Sequence, residues 1–421
     1  MHYGRAWLVS LVLAGCFVDP GSGVTTATPG TTSDPDATGG PGTTGGPGTT
    51  GGTSGSEAPT TEATCAGACG TSTSTTTEGT TAATETTDTT SGGGSGFVVA
   101  GSLEIPGAAV LVTGRFDGDE RDDLAVIGDI GLYVILGSSN FESFEISPAM
   151  QATAMARHDI DADADDDLIL AGGGHLYVVH VDAGELKNAA ALPVTCPTAL
   201  ALALGLVNAD ASAEALLACG SGGIQQFPGN DQSLLAPMKI SFEAAEDLRV
   251  GDFSGDAFAD FAFIDRDKGA LVVVQGGGTL NGWNTDDPQE FAVTSPVALA
   301  AGDLDGDAVL DLVVAADAGP CRTLRGASDG VKAWHDFACH QGTRDVVLGD
   351  FDGDAVADVV TIWDAAVEVA RGAGDGTFSA PLSFDASPGG SRVALGDFDG
   401  DGRTDVAALR QDGLIVYVQA G

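Results

Sequence analysis

The chain has 421 residues, 60 acidic side chains against 17 basic ones, and a formal net charge of −43. A surface of that sign is repelled by phosphate backbones and by anionic lipid headgroups, which argues against nucleic acid as a partner and against a membrane surface as a docking site. Solubility or salt adaptation would scatter the acids, but here they are clustered, as carboxylates gathered to hold cations would be.

Residues 1–15 read as an export signal. Arg5 precedes an apolar run from Ala6 to Ala14 that is too short to span a bilayer as a permanent helix. The run ends in Leu13-Ala14-Gly15-Cys16, which resembles the bacterial lipoprotein processing box. That resemblance implies cleavage before Cys16 and lipidation of Cys16, a membrane attachment through the lipid alone, and a place in the cell envelope at the outer membrane or cell surface. The other reading is an ordinary secretory signal with an incidental cysteine. Both readings predict export.

Residues 16–96 form a different kind of chain. Thr, Gly, Ser and Pro dominate, no lysine or arginine occurs, and after Asp19 the only large aliphatic residue is Val24. Such a segment cannot bury enough apolar surface to offset its chain entropy, so it is expected to be a disordered tether. At its length the mean end-to-end span is about 50 Å. Cys65 and Cys69 sit in CAGAC without a second cysteine pair or nearby histidines, which disfavours zinc and leaves a local disulfide.

From Phe97 to Gly421 one acidic unit recurs. GDFDGDGRTDVA begins at Gly396, GDFDGDAVADVV at Gly349, GDLDGDAVLDLV at Gly302 and GDFSGDAFADFA at Gly251. RHDIDADADDDLIL from Arg157 has the same shape, with Ala164 where Gly402 stands in the last copy. Two worn copies start at Gly114 and Gly205. The closing acid falls at 123, 167, 214, 260, 311, 358 and 405, at intervals of 44 to 51 residues. A fixed period of this size signals a repeat architecture whose units bury apolar faces against one another. Within a unit, short apolar or alternating runs are parted by Gly, Asp and Pro turns, which predicts four strands. Seven such units predict an all-β, seven-bladed β-propeller over 97–421. Its last unit lacks a fourth strand, and FVVAGSLEIPG at 97–107 is expected to supply it.

An EF-hand also opens with D-x-D-x-D-G, but it needs a glutamate twelve positions from the first acid. Counted from Asp397, Asp350 and Asp303, that position holds Ala408, Thr361 and Val314, and the flanks alternate as strands do. The motif D-x-D-G-D-x-x-x-D at this spacing instead resembles the FG-GAP/VCBS repeats of the integrin α-chain propeller and its bacterial relatives. The resemblance implies that each loop joins the first two strands of a blade and binds Ca²⁺. Elementary chemistry agrees: alternate carboxylates on a turning strand converge, and oxygen-only ligation suits a hard cation. The candidate ligands are Asp159, Asp161, Asp163 and Asp167; Asp303, Asp305, Asp307 and Asp311; Asp350, Asp352, Asp354 and Asp358; and Asp397, Asp399, Asp401 and Asp405. In the loop where Ser254 replaces the third acid they are Asp252, Asp256 and Asp260. Arg115 replaces the first acid of unit one, and Leu206, Asn208 and Glu214 make unit three a poor ligand set.

No G-x-S-x-G, H-E-x-x-H or phosphate-loop motif is present, and the histidines are scattered, so an enzyme is disfavoured. The leading expectation is a monomeric adhesion or protein-interaction module. By the integrin resemblance its ligand face lies opposite the calcium loops and includes Arg266-Asp267-Lys268 and Trp363-Asp364. A fungal sugar-binding propeller looks similar, so a lectin with a glycan ligand is the second reading, and a polysaccharide lyase the third. Strand order also pairs the cysteines. Cys196 and Cys219 flank the first hairpin of unit three, while Cys321 and Cys339 flank a hairpin centred on residue 330, so Cys196–Cys219 and Cys321–Cys339 are the expected disulfides.

Overall fold

A computed structural model describes residues 97–139, 144–148, 151–196, 198–208, 212–230, 233–240, 242 and 244–419. The signal, Cys16, the 16–96 tether and the Cys65–Cys69 pairing lie outside the described residues. Its regular secondary structure is almost wholly strand, arranged as seven four-stranded antiparallel sheets and one two-stranded hairpin.

Blade one comprises Val110–Gly114, Asp123–Gly128, Gly131–Ile135 and Phe144–Pro148. Blade two comprises Ala152–His158, Asp167–Gly172, His175–Asp182 and Glu185–Pro193. Blade three comprises Ala201–Gly205, Glu214–Ala218, Ile224–Phe227 and Met238–Ile240, with a small hairpin of Gly229–Asn230 and Ser233–Leu234 before its last strand. Blade four comprises Ala245–Gly251, Asp260–Asp265, Ala270–Val274 and Gln289–Ala292. Blade five comprises Pro296–Gly302, Asp311–Ala316, Cys321–Arg325 and Lys332–Phe337. Blade six comprises Asp345–Gly349, Asp358–Ile362, Ala366–Ala370 and Leu382–Asp385. Blade seven comprises Arg392–Gly396, Asp405–Arg410 and Gly413–Gln419, and its fourth strand is Phe97–Glu104 from the other end of the domain. The first strands touch in sequence around the ring, and the circle closes from Arg392–Gly396 back to Val110–Gly114.

The second strands explain why the units cannot stand alone. DLAVIG, DLILAG, DFAFID and DLVVAA are buried at every position. A strand with one wet face would alternate, whereas these are covered on both faces and read as continuous apolar runs. In blade one, Leu124 and Val126 pack against blade seven, while Ala125 and Ile127 pack against blade two. The same division recurs around the ring, so the buried apolar residues fall into seven clusters, each shared by two neighbouring blades.

Two irregularities in the repeat have local causes. The 51-residue interval comes from the loop between Val274 and Gln289, where Trp283 folds edge-on over Phe261 and its Nε1 donates to Gln226 Oε1 at 2.9 Å. The disulfides join Cys196 to Cys219 and Cys321 to Cys339, with Cα separations of 5.2 and 5.6 Å. The second differs from expectation in register. Cys321 lies opposite Phe337, not Cys339, because the hairpin is centred one residue earlier and shifts again at Thr323/Leu324. Cys339 reaches the bridge from just beyond the strand end.

Closure at blade seven is a full strand pairing, from Phe97 opposite Gln419 to Glu104 opposite Gly413. Ile105, the next residue, is 0% exposed in the cluster shared by blades seven and one. Ile105→Ala is expected to cost about 2–5 kcal/mol, whereas loss of the exposed Glu104 side chain should stay within about 0.5 kcal/mol. Urea denaturation of the two variants measures this, and equal effects would refute the closure.

Candidate cation-binding loops

Each acidic loop joins the first and second strands of its blade, so all seven lie on one face. Their acids do different jobs according to position. The ninth, closing acid is buried: Asp123, Asp167, Glu214, Asp260, Asp311 and Asp405 are 0% exposed and Asp358 is 1% exposed. One of its oxygens always accepts the backbone N–H of the loop's second residue, at 2.7–3.0 Å, from Phe116, Ile160, Val207, Phe253, Leu304, Phe351 and Phe398. In six blades the other oxygen accepts an N–H at the end of the third strand, from Gly137, Val181, Gly276, Gly326, Gly372 or Gln419. In blade three Asn208 Nδ2 takes that place. A buried carboxylate needs such donors, and supplying them fixes the loop against the blade.

The second residue is the apolar anchor of the same device. Phe116, Phe253 and Phe398 are 0% exposed and sit in the clusters shared with the next blade around the ring. The first acid curls the loop around itself. Asp397 accepts N–H bonds from Gly400, Asp401 and Gly402, and Asp350 accepts them from Gly353 and Ala355. This turn takes the left-handed backbone at positions four and six. Glycine serves it at position four in five loops (Gly118, Gly255, Gly306, Gly353 and Gly400), while alanine holds position six at Ala164, Ala257, Ala308 and Ala355, with φ of +66° to +81°. That conformation costs an alanine about 1–2 kcal/mol, which the hydrogen bonds to the first acid offset.

Further acids hold blades together. Asp122 accepts the N–H of Asp397 across the ring closure, and Asp166 accepts that of Arg115 while pairing with Arg157 at 2.8 Å. These two carry the extra charge of loops one and two and face neighbouring blades.

Carboxylate oxygens converge in several loops. Within 4.8 Å of one another lie one oxygen each from Asp303, Asp305 and Asp311, and likewise from Asp159, Asp161 and Asp163. Asp117, Asp119 and Asp123 do the same, so the worn first loop, not counted among the candidates, also gathers three acids despite Arg115. The candidate acids at position five (Asp163, Asp256, Asp307, Asp354 and Asp401) are exposed, while those at one (Asp252, Asp303, Asp350 and Asp397) are half-buried. Three basic side chains that motif spacing missed also reach these acids. His180 Nδ1 is 3.2 Å from Asp161 and Asp167, Arg325 is 2.7 Å from Asp305 and 2.9 Å from Asp307, and Arg371 is 3.1 Å from Asp352. They follow the closing acid by 13, 14 and 13 residues, a spacing that varies with turn length and so carries no fixed signature.

On the opposite face the expected recognition residues are engaged within the protein. Arg266 pairs with Glu246 at 2.8 Å, Lys268 with Glu290 at 2.7 Å and Asp364 with Arg344. Trp363 stacks on His340, with ring centroids 3.5 Å apart and planes 6° apart.

Residues 350–408, from the sixth acidic loop through the second strand of blade seven, match the family profile of the FG-GAP-like repeat. No curated protein matches the chain. A crystal structure of BBS1N in complex with ARL6DN, soaked with mercury, is similar at 14% identity, covering 77% of this chain and 94% of that one with a TM-score of 0.56. The same complex soaked with lead gives 13%, the same coverage and 0.53. An Agrocybe aegerita lectin, described as recognising non-reducing terminal N-acetylglucosamine, gives 16% identity, 74% and 87% coverage and a TM-score of 0.48. At these identities the likeness bears on the fold alone.

Burial pushes the closing acids Asp123, Asp311 and Asp405 up to about 7 and Asp260 to about 6, from an ordinary 3.8, and the neighbouring loop carboxylates add to it. Asp167 and Asp358 move the same way. The metal-free native state therefore holds protons that the unfolded chain releases, and its stability should fall as pH rises from about 4 to about 7. The measurement is the urea midpoint in chelator at pH 5 and pH 8. A midpoint at pH 8 equal to or above that at pH 5 contradicts the assignment.

Proposed function

We propose that this FG-GAP-like-repeat propeller is an exported, lipid-anchored interaction module whose acidic loops are made rigid by calcium. The observation that carries the reading is one oxygen. Asp305 Oδ1 is buried and has no hydrogen-bond partner, although the Asp305 side chain is only 10% exposed and sits among Asp303 and Asp311. An orphaned anionic oxygen beside two further carboxylates is costly unless a cation meets it. Asp161 Oδ1 in blade two is orphaned in the same way. In blade five the donors are all oxygen, they come from a preformed turn, and the excess charge is negative, which fits Ca²⁺ better than a thiophilic or imidazole-loving metal, whereas in blade two His180 Nδ1 also joins Asp161 and Asp167. Asp159, Asp303, Asp350 and Asp397 with their partners at positions three, five and nine would hold it, and Asp252, Asp256 and Asp260 would hold it in blade four. Bound calcium neutralises the loop acids and ties both ends of the turn together.

The module reading rests on how the parts are ordered. Cys16 and the lysine-free, arginine-free tether precede the disc. The chain enters the propeller at Phe97, opposite Gln419, whose N–H binds the closing acid Asp405. Phe97 thus lies at the rim of the acidic-loop face, and the opposite face is the one proposed to meet a partner.

Calcium should raise the melting temperature of the full chain through the millimolar range, since extracellular modules bind at roughly 10⁻⁴–10⁻³ M. Each site contributes about 2.7 kcal/mol at a hundredfold excess over Kd. An unchanged melt between chelator and 10 mM calcium (roughly ten times the weaker of these constants), with no metal in the purified protein, would falsify the calcium reading. The anchor is checked separately. Cys16→Ser is expected to move the exported protein from the detergent phase to the aqueous phase in a phase-separation assay, and retention in detergent argues for another attachment.

A further inference from the structure

The closing acid lies opposite one residue of the third strand in every blade. Extending the strand register by one pair places Leu136, His180, Pro228, Gln275, Arg325, Arg371 and Val418 in that position. The position varies from apolar to cationic while a buried closing carboxylate faces it in every blade. Blades five, six and seven allow the comparison, with Arg403 of the seventh loop itself 3.8 Å from the exposed Asp401, farther than either cross-strand arginine is from its acid. All three loops carry aspartate at positions one, three, five and nine, yet they face Arg325, Arg371 and Val418.

The two arginines reach into their own loops. Arg325 Nη2 lies 2.7 Å from Asp305 Oδ2 and 2.9 Å from Asp307 Oδ2, and Arg371 Nη1 lies 3.1 Å from Asp352 Oδ2. His180, at the same strand position in blade two, puts its ring nitrogen 3.2 Å from Asp161 Oδ2. In blades five and two the other oxygen of the third acid is the orphaned, buried one. The basic residue therefore grips one oxygen of this carboxylate and leaves the second turned away from it.

We propose that this cross-strand residue sets the cation affinity of each loop, with the arginines of blades five and six making theirs weaker sites than that of blade seven, which carries the same four acids. The inference rests on the calcium reading above and adds to it an order among the loops. Two effects of the arginine compete. Holding the carboxylate in place saves a little side-chain entropy, which favours cation binding. A guanidinium and a divalent ion sharing one carboxylate also repel, and that opposes it. Both charges would sit within about 5 Å of each other in a half-exposed site, where the repulsion is the larger effect and weakens binding by about tenfold. The arginine also substitutes for the missing ion, so these loops stay neutralised when calcium is scarce.

The test uses the full chain stripped of metal, titrated with calcium by isothermal calorimetry and melted in chelator. Arg371→Val is expected to tighten one site by about tenfold and to lower the melting temperature in chelator. Arg325→Val should do the same for blade five. Because that guanidinium also lies 5.6 Å from the Trp334 ring centroid, its loss costs packing as well, and Arg371 is the cleaner variant. Gln275→Arg, at the half-buried blade-four position, should weaken one site by about tenfold without lowering the chelated melt. If the wild-type protein binds calcium and the arginine variants bind it equally or more weakly, the arginines only position the carboxylates and the proposal is overturned. If no variant binds calcium at all, the calcium reading itself fails and takes this ordering with it.

Discussion

A carboxylate placed where water cannot reach it must be given hydrogen-bond donors, and in this chain that requirement shapes every blade. The closing acid receives one backbone N–H from the loop's second residue and, in six blades, another from the end of the third strand. Three strands and the loop are thereby tied at a single point. The residue that donates the first N–H is also the apolar plug of the next interface, as Phe398 is between blades seven and one. Local turn, blade and ring are coupled through the same two residues.

That coupling changes how the acidity of the chain is understood. The acids of one motif divide into a buried pin, a turn former and exposed members, and Asp122 and Asp166 serve as staples to the neighbouring blade. A similar staple operates at the start of the first strands. There Asp247 pairs with Arg249 at 2.5 Å and accepts the Leu299 N–H from blade five, while Asp345 accepts the Val393 N–H from blade seven. Buried charge in this protein is used both within each blade, at the closing acid, and between blades, at Asp166, Asp247 and Asp345. Ring geometry is thus specified by polar contacts, while apolar clusters supply most of the burial.

The same division explains why the repeat tolerates worn copies. Blade three has lost most loop acids, yet Glu214 still takes the Val207 N–H at 2.8 Å and Asn208 still fills the other oxygen. Blade one lacks the first acid and keeps Asp123 pinned. The pin persists in every loop, whereas the exposed acids come and go. Structure depends on the ninth position, and the proposed cation site would draw on the first, third and fifth as well.

The sequence alone was enough for the all-β class, the seven units and the identity of the strand missing from the last one. Those properties follow from period, turn chemistry and apolar alternation, which are local along the chain. The two described disulfide partners were legible too, because strand order brings Cys196 to Cys219 and Cys321 to Cys339 even with the second hairpin's register misplaced. Three features were not legible. Asp122 and Asp166 look like loop ligands until the neighbouring blade is in place. The alanines at position six look like poor turn residues until the first acid's hydrogen bonds are counted. Arg325 and Arg371 look like scattered surface charge, because the turn between the second and third strands varies in length and hides their shared position. Each of these depends on which atoms meet across strands or blades, and only the closed ring decides that.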